Sequence, residues 1–383
     1  MLSAPTCEHP LDLTAYENDF EDWDIVQACS DDDEPTFENP LLTSDDAYPQ
    51  VPFVVLNCSS SGDATHVCIR RFVCCKVLGV GSGGSVYETE CGHAVKVVHS
   101  VYAVDEEADV LCNLHHPGLL HALHHGTMVL MTLDGKPVSF SYFVFPMAIG
   151  SLVMPRKMLQ AIPFATKIGW IKQLYYALCA LQDHGYLHGD LHPKNVLWWD
   201  QATVKLCDFG LSFKHSANPT NVDDRVGEHY TCTFPFCSPL ALLANEVHKA
   251  GMKPEDAQEF AAYVESVSGV SSPQRDQRKC DMFAFGQLIS YLLFAGEHFL
   301  RGDLNVAVEN ILCEFVDFVA EPDEYFECWW AYVSTKYDLE KSCKLYGNLN
   351  VTVNDIRNVI CGLTQLRESF RFSLDDLECV ACW

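Results

Sequence analysis

The first 69 residues of this chain contain no lysine and no arginine, although residues 1–66 hold fifteen Asp or Glu. Basic residues are scarce in the whole sequence, which has 25 Lys or Arg against 52 Asp or Glu and a formal net charge of −27. An acidic surface repels the phosphates of nucleic acids and of anionic lipids. We therefore expect neither nucleic acid nor a membrane as a partner.

Long apolar runs and metal-type cysteine spacings are also missing. No stretch of about 18 apolar residues is present, so the sequence predicts no membrane-spanning helix. The nineteen cysteines include no CxxC pair matched by a second CxxC or by HxxxH, so no structural zinc site is expected. The N-terminus lacks the basic region of a signal peptide. We expect free thiols in an intracellular compartment, the cytoplasm or the nucleus.

The acidic segment 1–66 is predicted to be a disordered tail, because six prolines interrupt any hydrophobic periodicity. Aromatic residues stand among its charges, Phe20 and Trp23 being examples. A solvated tail is one interpretation of this pattern. The other is a docking segment whose aromatic side chains bind a basic, apolar groove on a partner protein.

After the tail, short β-rich runs separated by turn residues extend to about residue 150, with one helix predicted from Asp105 to His115. Helical periodicity dominates from about residue 151 to residue 383. A helix with apolar residues on nearly every face is predicted over Asp281–Phe294. The sequence therefore predicts an α+β protein with two lobes, a small antiparallel β lobe (67–150) and a larger helical lobe (151–383).

The most informative motif is the run His188-Gly189-Asp190-Leu191-His192-Pro193-Lys194-Asn195, followed by Asp208-Phe209-Gly210. Phosphoryl transfer from ATP needs a carboxylate that orients the attacking hydroxyl and oxygen ligands that hold Mg²⁺ on the phosphates. Asp190 is the candidate residue that accepts or orients the proton of the substrate hydroxyl. Asn195 and Asp208 are the candidate metal ligands. An isolated Asp in a loop is more often a turn former, but here it has ordered partners.

A glycine-rich turn between two predicted strands is the second motif. Such a turn lets backbone amides approach phosphate oxygens without obstruction by a Cβ atom. Because a strand follows it rather than a helix, it is not the dinucleotide-binding type. Alone it could be a flexible hairpin, but Lys96 on the next strand, between apolar neighbours, needs a buried anionic partner. The candidate nucleotide contacts are Leu78, Gly79, Val80, Gly81, Ser82, Gly83, Gly84, Ser85, Val86, Ala94 and Lys96.

The partner predicted for Lys96 is Glu107. Leu111 and Leu114 follow Glu107 by four and seven residues, so all three lie on one face of the predicted helix. Glu106 is the alternative, but it lies about 100° away from that face.

With these motifs in this order, the chain from about residue 72 to residue 379 resembles the eukaryotic-type protein kinases. The resemblance implies the two-lobed kinase fold, the use of ATP and Mg²⁺, and protein substrates phosphorylated on Ser or Thr. It implies that Phe145 is the gatekeeper, that Met147 supplies a hinge amide, and that Thr233 contacts the catalytic Asp190. The acidic tail before a compact domain also resembles the serine/threonine kinases of herpesviruses.

Several positions depart from the family pattern. Gly189 stands where many kinases carry Arg, which predicts activity without activation-loop phosphorylation. His192 stands where serine/threonine kinases usually carry a Lys on the γ-phosphate. Lys194 could reach the same phosphate, as tyrosine kinases sometimes arrange with Arg, so the hydroxyl preference stays open at this position.

Three further features extend the resemblance. Asp281 begins a helix of the type that anchors the catalytic loop. Leu240 replaces the usual Glu partner of Arg371, so either Glu246 pairs with Arg371 or Arg371 is solvated. The segment 245–279 is longer than the family requires and is predicted to be a surface insertion or a docking site.

Two other functions remain as alternatives. His-Gly-Asp-Leu-His-Pro is similar to the motif of small-molecule phosphotransferases such as aminoglycoside and choline kinases. Those enzymes usually continue with a different metal-binding motif and lack the glycine-rich turn. A pseudokinase scaffold is the non-enzymatic alternative, but pseudokinases usually lose one of the residues that are present here as Lys96, Asp190 and Asp208.

Overall fold

The computed structural model describes residues 53–60, 67–81, 84–99, 105–131, 136–214, 236, 278–297, 299, 321–345, 349–366 and 370–383. Several predictions fall outside these residues. They concern most of the acidic tail, Ser82 and Gly83 in the glycine-rich turn, Thr233, Glu246, and nearly all of the predicted insertion.

The first half of the described chain forms a six-stranded antiparallel sheet in the order β1-β2-β3-β4-β6-β5. Its two edge strands, β1 and β5, contact each other, so the sheet curls. Helix α1 (Asp105–Asn113) lies between β4 and β5 in the sequence. The strands are β1 (Phe53–Ser60), β2 (Val67–Gly81), β3 (Gly84–Thr89), β4 (His93–His99), β5 (His124–Met131) and β6 (Pro137–Pro146).

Side-chain alternation along β4 gives the sheet two different faces. Val95 and Val97 point into an apolar cluster that also contains Tyr87 and Val144. Residues at the alternate positions face the other way, and Val98 among them packs against α1 in the main core. Lys96 belongs to this second face, which therefore carries the candidate site.

Strand β1 corrects the predicted boundary of the tail. The tail was expected to extend to residue 66, but Phe53–Ser60 pairs along its whole length with the first half of β2. The strand contains a short apolar run, and Val55 is completely buried. Averaging composition over a 66-residue acidic segment concealed this run. The disorder predicted for residues 1–52 stays a prediction.

The second half of the described chain is mainly helical. Helix α3 places its apolar positions in the core, and every residue of α4 from Asp281 onward is buried. No helix among the described residues is both long and apolar enough to cross a membrane. The helices are α2 (Arg156–Ala161), α3 (Phe164–Asp183), α4 (Arg278–Leu293), α5 (Pro322–Lys336), α6 (Leu339–Leu345), α7 (Val353–Leu363) and α8 (Glu378–Ala381).

Two small antiparallel sheets hold the segment between α3 and the metal-binding motif. One contains β7 (Gly150–Ser151), β9 (Val196–Trp198) and β10 (Val204–Leu206), and the other pairs β8 (Tyr186–Leu187) with β11 (Phe213–Lys214). The catalytic-loop motif follows β8, and the Asp-Phe-Gly motif follows β10. An antiparallel sheet region followed by a helical region confirms the predicted α+β class.

Candidate active site

Lys96 joins two carboxylates from distant parts of the chain. Its Nζ donates to Glu107 Oε1 at 2.6 Å and to Asp208 Oδ1 at 2.6 Å. The side chains of Lys96 and Glu107 are only 9% and 3% exposed. Burial alone would lower the pKa of Lys96, but the two carboxylates outweigh burial and raise it. The ammonium group is therefore held charged between α1 and the metal-binding motif.

Cross-strand register places three of the predicted nucleotide contacts, Val86, Ala94 and Phe145, on the same face as Lys96. Val86 lies opposite Lys96, and Ala94 lies opposite Phe145, which is buried. Met147, partly buried, follows the end of β6. These positions form an apolar wall beside the Lys96 ammonium group, as an adenine base would require.

The glycine-rich turn leads from β2 into β3, and its residues differ in orientation. Leu78 and Val80 are exposed, and Gly79 and Gly81 have open space where a Cβ atom would lie. Ser85 is different, because it lies opposite Val97 on the other face of the sheet and is fully buried there. Strand alternation points its side chain away from Lys96, so any contact of Ser85 with the nucleotide would be made by its backbone, and the predicted contact stays a prediction.

At Gly84 the backbone conformation and a close main-chain neighbour leave no room for a side chain. Its φ angle is +142°, and a Cβ atom there would lie 2.6 Å from the main-chain oxygen of Val97. The close approach of β3 to β4 therefore depends on a residue without a side chain.

Asp208 adopts a left-handed backbone conformation, with φ at 60°. Phe209 behind it is completely buried and packs against the His188 ring at 5.3 Å. Burial would raise the pKa of Asp208, but Lys96 outweighs burial and lowers it. Lys96 bonds to Oδ1, and Oδ2 accepts no hydrogen bond from the described residues. Because the side chain is 46% exposed, Oδ2 is accessible to a cation.

Asn195 is fixed in orientation by Asp190. Its Nδ2 donates to the main-chain oxygen of Asp190 at 2.8 Å and to Asp190 Oδ2 at 3.3 Å. The amide oxygen Oδ1 accepts no hydrogen bond within the described part of the chain and stays available as a ligand. Oxygen ligands of this kind suit Mg²⁺, which usually takes one or two carboxylates together with substrate phosphates.

No three His, Cys, Asp or Glu side chains among the described residues converge as a metal cage. Magnesium shared with a nucleotide needs no such cage. The donor set of Asn195 Oδ1 and Asp208 Oδ2 therefore fits Mg²⁺ that is bound together with ATP.

His188 and Asp281 support the catalytic loop, and neither was among the predicted site residues. Asp281 Oδ2 and Oδ1 accept the N–H groups of His188 and Gly189 at 2.7 and 3.0 Å. His188 Nδ1 accepts the N–H of Asp190, and its Nε2 lies 3.1 Å from the oxygen of Cys207. The imidazole therefore connects the catalytic loop to the residue before Asp208. The histidine two residues before Asp190 is the sequence feature that could have indicated the role of His188.

Gly189 has a left-handed backbone with φ at +80°, and a Cβ atom would lie 2.4 Å from the Leu211 oxygen. We expect Gly189→Ala to lower the free energy of unfolding by more than the roughly 1–2 kcal/mol that the backbone conformation alone costs. Gly92→Ala is the matched control, because Gly92 has φ of +71° but open space at its Cβ position. Urea unfolding compares the two variants. An equal loss would show that the contact with Leu211 costs nothing.

His192, which replaces the usual lysine, and Lys194, which was predicted to reach the γ-phosphate, differ in burial. His192 is 6% exposed, and its Nε2 lies 3.2 Å from Asp190 Oδ2. Lys194 is exposed, lies in the 3₁₀ turn Pro193–Asn195, and has no side-chain partner among the described residues. The catalytic role predicted for Lys194 stays a prediction.

Arg371 is almost completely buried, so the alternative that it is solvated is wrong. Its guanidinium donates to the main-chain oxygens of Lys279, Gln365 and Leu366, and it stacks on the Phe283 ring at 5.1 Å. Main-chain carbonyls thus satisfy a buried cation at the start of α4. The other alternative concerns Glu246, outside the described residues.

A second ion pair joins α1 to the segment after the metal-binding motif. Asp109, two residues after Glu107, accepts hydrogen bonds from Tyr186 Oη and from Lys214 Nζ, the latter at 3.0 Å. Hydrogen bonds from Tyr186, Asn113 and Lys214 lower the pKa of Asp109 to about 2. Helix α1 is therefore attached at the Asp-Phe-Gly end of the activation segment without a phosphate group.

Cys207 precedes Asp208 and is buried, and burial raises its thiol pKa well above the usual range. A thiol held in this way reacts slowly, because the thiolate is the nucleophile. We expect iodoacetamide at pH 8 to alkylate the exposed Cys91 in the folded protein while Cys207 is labelled only after unfolding. Peptide mass spectrometry over time measures both. Labelling of folded Cys207 as fast as Cys91 would contradict this.

The sequence was also compared with known protein families. Residues 72–253 match the protein kinase domain. The match covers Lys96, the catalytic loop and the Asp-Phe-Gly motif. In the structure Lys96 bonds to Asp208, and His188 connects the catalytic loop to Cys207, the residue before Asp208. Residues 72–253 are therefore similar to a kinase domain, as the sequence motifs predicted, and the antiparallel sheet followed by helices agrees with that similarity.

Several curated proteins that this chain is similar to are serine/threonine kinases of eukaryotes, at low identity. Mouse serine/threonine-protein kinase MAK is 26% identical over 189 residues, 48% of this chain and 29% of its own length. The Dictyostelium discoideum probable serine/threonine-protein kinase glkA is 28% identical over 178 residues, 44% of this chain and 34% of its own. Schizosaccharomyces pombe serine/threonine-protein kinase ksg1 is 24% identical over 298 residues, 72% of this chain and 45% of its own.

The chain thus spans between 29% and 45% of the length of these three relatives. Identity at this level leaves substrates undefined. The herpesvirus likeness is not tested by these eukaryotic relatives and stays a prediction.

Proposed function

We propose that this chain is a protein kinase that transfers the γ-phosphate of Mg²⁺-ATP to Ser or Thr hydroxyls of protein substrates. The observation that carries the proposal is the buried pair of bonds from Lys96 Nζ to Glu107 and Asp208, each 2.6 Å long. A lysine that is held charged between a helix carboxylate and a carboxylate that would bind metal can bind the phosphate oxygens of a nucleoside triphosphate. The match of residues 72–253 to the protein kinase domain supports the same activity.

Each residue would have a separate task in this reaction. Lys96, ordered by Glu107, would hold the nucleotide phosphates, and Val86, Ala94 and Phe145 would contact the base. Asn195 and Asp208 would hold Mg²⁺, which with ATP supplies the reacting phosphoryl group. Most of the catalytic gain would come from positioning and electrostatics.

The substrate hydroxyl would meet Asp190. Its carboxylate is partly exposed and accepts a hydrogen bond from Asn195 Nδ2, while the main-chain N–H of Asp190 donates to His188 Nδ1. In this position Asp190 accepts or orients the hydroxyl proton as the oxygen attacks phosphorus.

Incubation with γ-labelled ATP, Mg²⁺ and a cell extract tests the proposal, with an aminoglycoside and choline panel in parallel. The expected result is label in protein, released as phosphoserine and phosphothreonine after acid hydrolysis. Label confined to a small molecule would establish the alternative phosphotransferase, and label absent from every fraction would favour a pseudokinase.

We expect the kinase to be active without phosphate on its activation segment. Gly189 provides no cation that such a phosphate would neutralise, and Lys214 already pairs with Asp109 on α1. Turnover of protein treated with phosphatase should stay within about twofold of untreated protein, with removal of phosphate verified by mass spectrometry. An inert dephosphorylated enzyme that regains activity on rephosphorylation would refute this prediction.

A further inference from the structure

Two cysteines lie one helical turn apart at the surface of α8. The sequence has one CxxC motif, Cys379-Val380-Ala381-Cys382. Cys379 belongs to α8, and Cys382 caps the end of that helix. Both thiols are free and both residues are exposed, whereas Val380 between them is completely buried. Val380 therefore attaches this turn to the core, and the two thiols stay on its outer side.

The helical turn brings the two cysteines within reach of a disulfide bond. Residues i and i+3 of a helix share one face, and the helical rise and radius place their Cα atoms about 5 Å apart. Disulfide-bonded cysteines usually have Cα atoms roughly 4.4–6.8 Å apart. In α8 the N–H of Cys382 donates to the main-chain oxygen of Cys379 at 3.0 Å, which closes the turn between them. A bond between the two sulfur atoms therefore needs only a local adjustment of the side chains and of this turn.

The adjacent pair Cys74 and Cys75 shows why the spacing matters. Neighbouring residues of a strand point to opposite faces of the sheet. Cys74 is completely buried, and burial raises the pKa of its thiol to about 12, whereas Cys75 is exposed. Two thiols on opposite faces of β2 cannot bond to each other without disruption of the strand. Cys379 and Cys382, in contrast, are both exposed on one turn.

The environment of Cys379 indicates the order in which the two thiols react. Desolvation by the surrounding protein raises the pKa of the Cys379 thiol, and Asp355 and Cys382 add to the increase. The influence of Cys382 shows that the two thiols are close enough to interact. Because the thiolate is the nucleophile, a raised pKa makes Cys379 a slow attacking group. Cys382 is therefore expected to attack first and Cys379 second.

We propose that Cys379 and Cys382 form a thiol–disulfide exchange site that reacts with low-molecular-weight disulfides, for which oxidised glutathione is the probe. The Cys382 thiolate attacks one sulfur of the small disulfide, so a mixed disulfide forms and half of the small molecule leaves as a thiolate. The Cys379 thiolate then attacks the Cys382 sulfur, and the second half leaves in the same way. The protein loses two electrons and two protons, which reduce the small disulfide to two thiols. This site does not depend on the proposed kinase activity.

Exchange of the full-length reduced protein with glutathione buffers tests the inference. Samples are quenched with acid and N-ethylmaleimide, and mass spectrometry follows the tryptic peptide that begins after Arg371. In wild type this peptide should gain no N-ethylmaleimide and become lighter than the reduced peptide by about 2 Da, the mass of the two hydrogens lost. Cys328 is the matched control within the same protein, because it is an exposed thiol on α5 with no cysteine one turn away in the sequence. It should carry only a glutathione adduct.

The dependence on total glutathione distinguishes a bridge from two separate adducts. A bridge releases two glutathione thiols for each small disulfide consumed, and an adduct releases one. When total glutathione is doubled at a fixed ratio of thiol to disulfide, the ratio of bridged to reduced peptide should fall by about half. The fraction of Cys328 that carries an adduct should not change.

Two serine substitutions complete the test. In Cys379→Ser the adduct on Cys382 should accumulate, because no second thiol displaces it. In Cys382→Ser the adduct on Cys379 should form at least about threefold more slowly. Both residues are exposed, so both variants should keep the wild-type Tm. Separate adducts on Cys379 and Cys382 of wild type, or a bridge from either to another cysteine, would overturn the inference. An unmodified pair under conditions that fully modify Cys328 would also overturn it.

Discussion

Asp190→Asn is expected to lower kcat by about 10³-fold, which corresponds to roughly 4 kcal/mol of barrier. The substitution keeps the size of the side chain and removes the carboxylate that would receive the hydroxyl proton. Because Asp190 is not among the residues proposed to contact ATP, KM for ATP should change by less than about threefold. Phosphate transfer at saturating Mg²⁺-ATP measures kcat, and a titration of ATP measures KM.

The control for Asp190→Asn is the same substitution at Asp200. Asp200 is an exposed residue of the turn between β9 and β10, where its Oδ1 accepts the Ala202 N–H at 2.7 Å. Asp200→Asn should transfer phosphate at the wild-type rate. If Asp190→Asn retained more than about a tenth of wild-type kcat, Asp190 would not be the proton-accepting group.

Lys96→Met is expected to abolish measurable turnover and to destabilise the fold. Methionine fills a similar volume but leaves Glu107 buried without its cation, a loss of about 3–5 kcal/mol for a buried ion pair. Burial already raises the pKa of Glu107, and Lys96 is the main influence that opposes it. Removal of Lys96 therefore raises the Glu107 pKa further. A buried carboxyl group with a raised pKa destabilises the folded state when it is ionised, and it is protonated more readily at low pH. The loss of unfolding free energy in Lys96→Met should therefore be smaller at pH 5 than at pH 8.

Urea unfolding of wild type and Lys96→Met at both pH values measures this deficit. Lys76→Met is the matched control, because Lys76 also pairs with a strand glutamate, Glu88 at 3.2 Å, but is largely exposed. An exposed pair contributes about 1 kcal/mol or less. If Lys96→Met cost no more stability than Lys76→Met, the buried pair would not hold the site together.

The sequence predicted those parts of the site that depend on spacing along the chain. Glu107 could be chosen as the candidate partner of Lys96 because Leu111 and Leu114 share its helical face, and the structure places Glu107 on Lys96. The α+β class followed from the change of hydrophobic period near residue 150. Both inferences use local geometry, which is determined by residues only a few positions apart in the sequence.

Features that depend on tertiary contacts were not predictable in this way. The contact of His188 Nε2 with the Cys207 oxygen joins two segments that only the folded chain brings together. The anchoring role of Asp281 was indicated only by the resemblance of its motif to that of protein kinases. The orientation of Ser85 required the register between β3 and β4. The carbonyls that accept from Arg371 come from two separate segments. The sequence left pairing with Glu246 or solvation as the alternatives, and the burial of Arg371 excludes solvation.

Strand β1 was missed for a different reason. Its eight residues add an edge to the sheet by pairing with β2, and the energetic gain depends on the partner strand as well as on its own propensity. The apolar run in β1 is short and lies within the acidic segment 1–66, so the average composition of that segment does not reveal it.

The decisive experiment is Mg²⁺-dependent transfer of labelled γ-phosphate from ATP to protein, with phosphoamino-acid analysis of the product. We expect phosphoserine and phosphothreonine with wild-type protein, loss of label on chelation of Mg²⁺, and loss of label in Lys96→Met and Asp190→Asn. Undiminished transfer by either variant, or label found in small molecules alone, would contradict the proposed function.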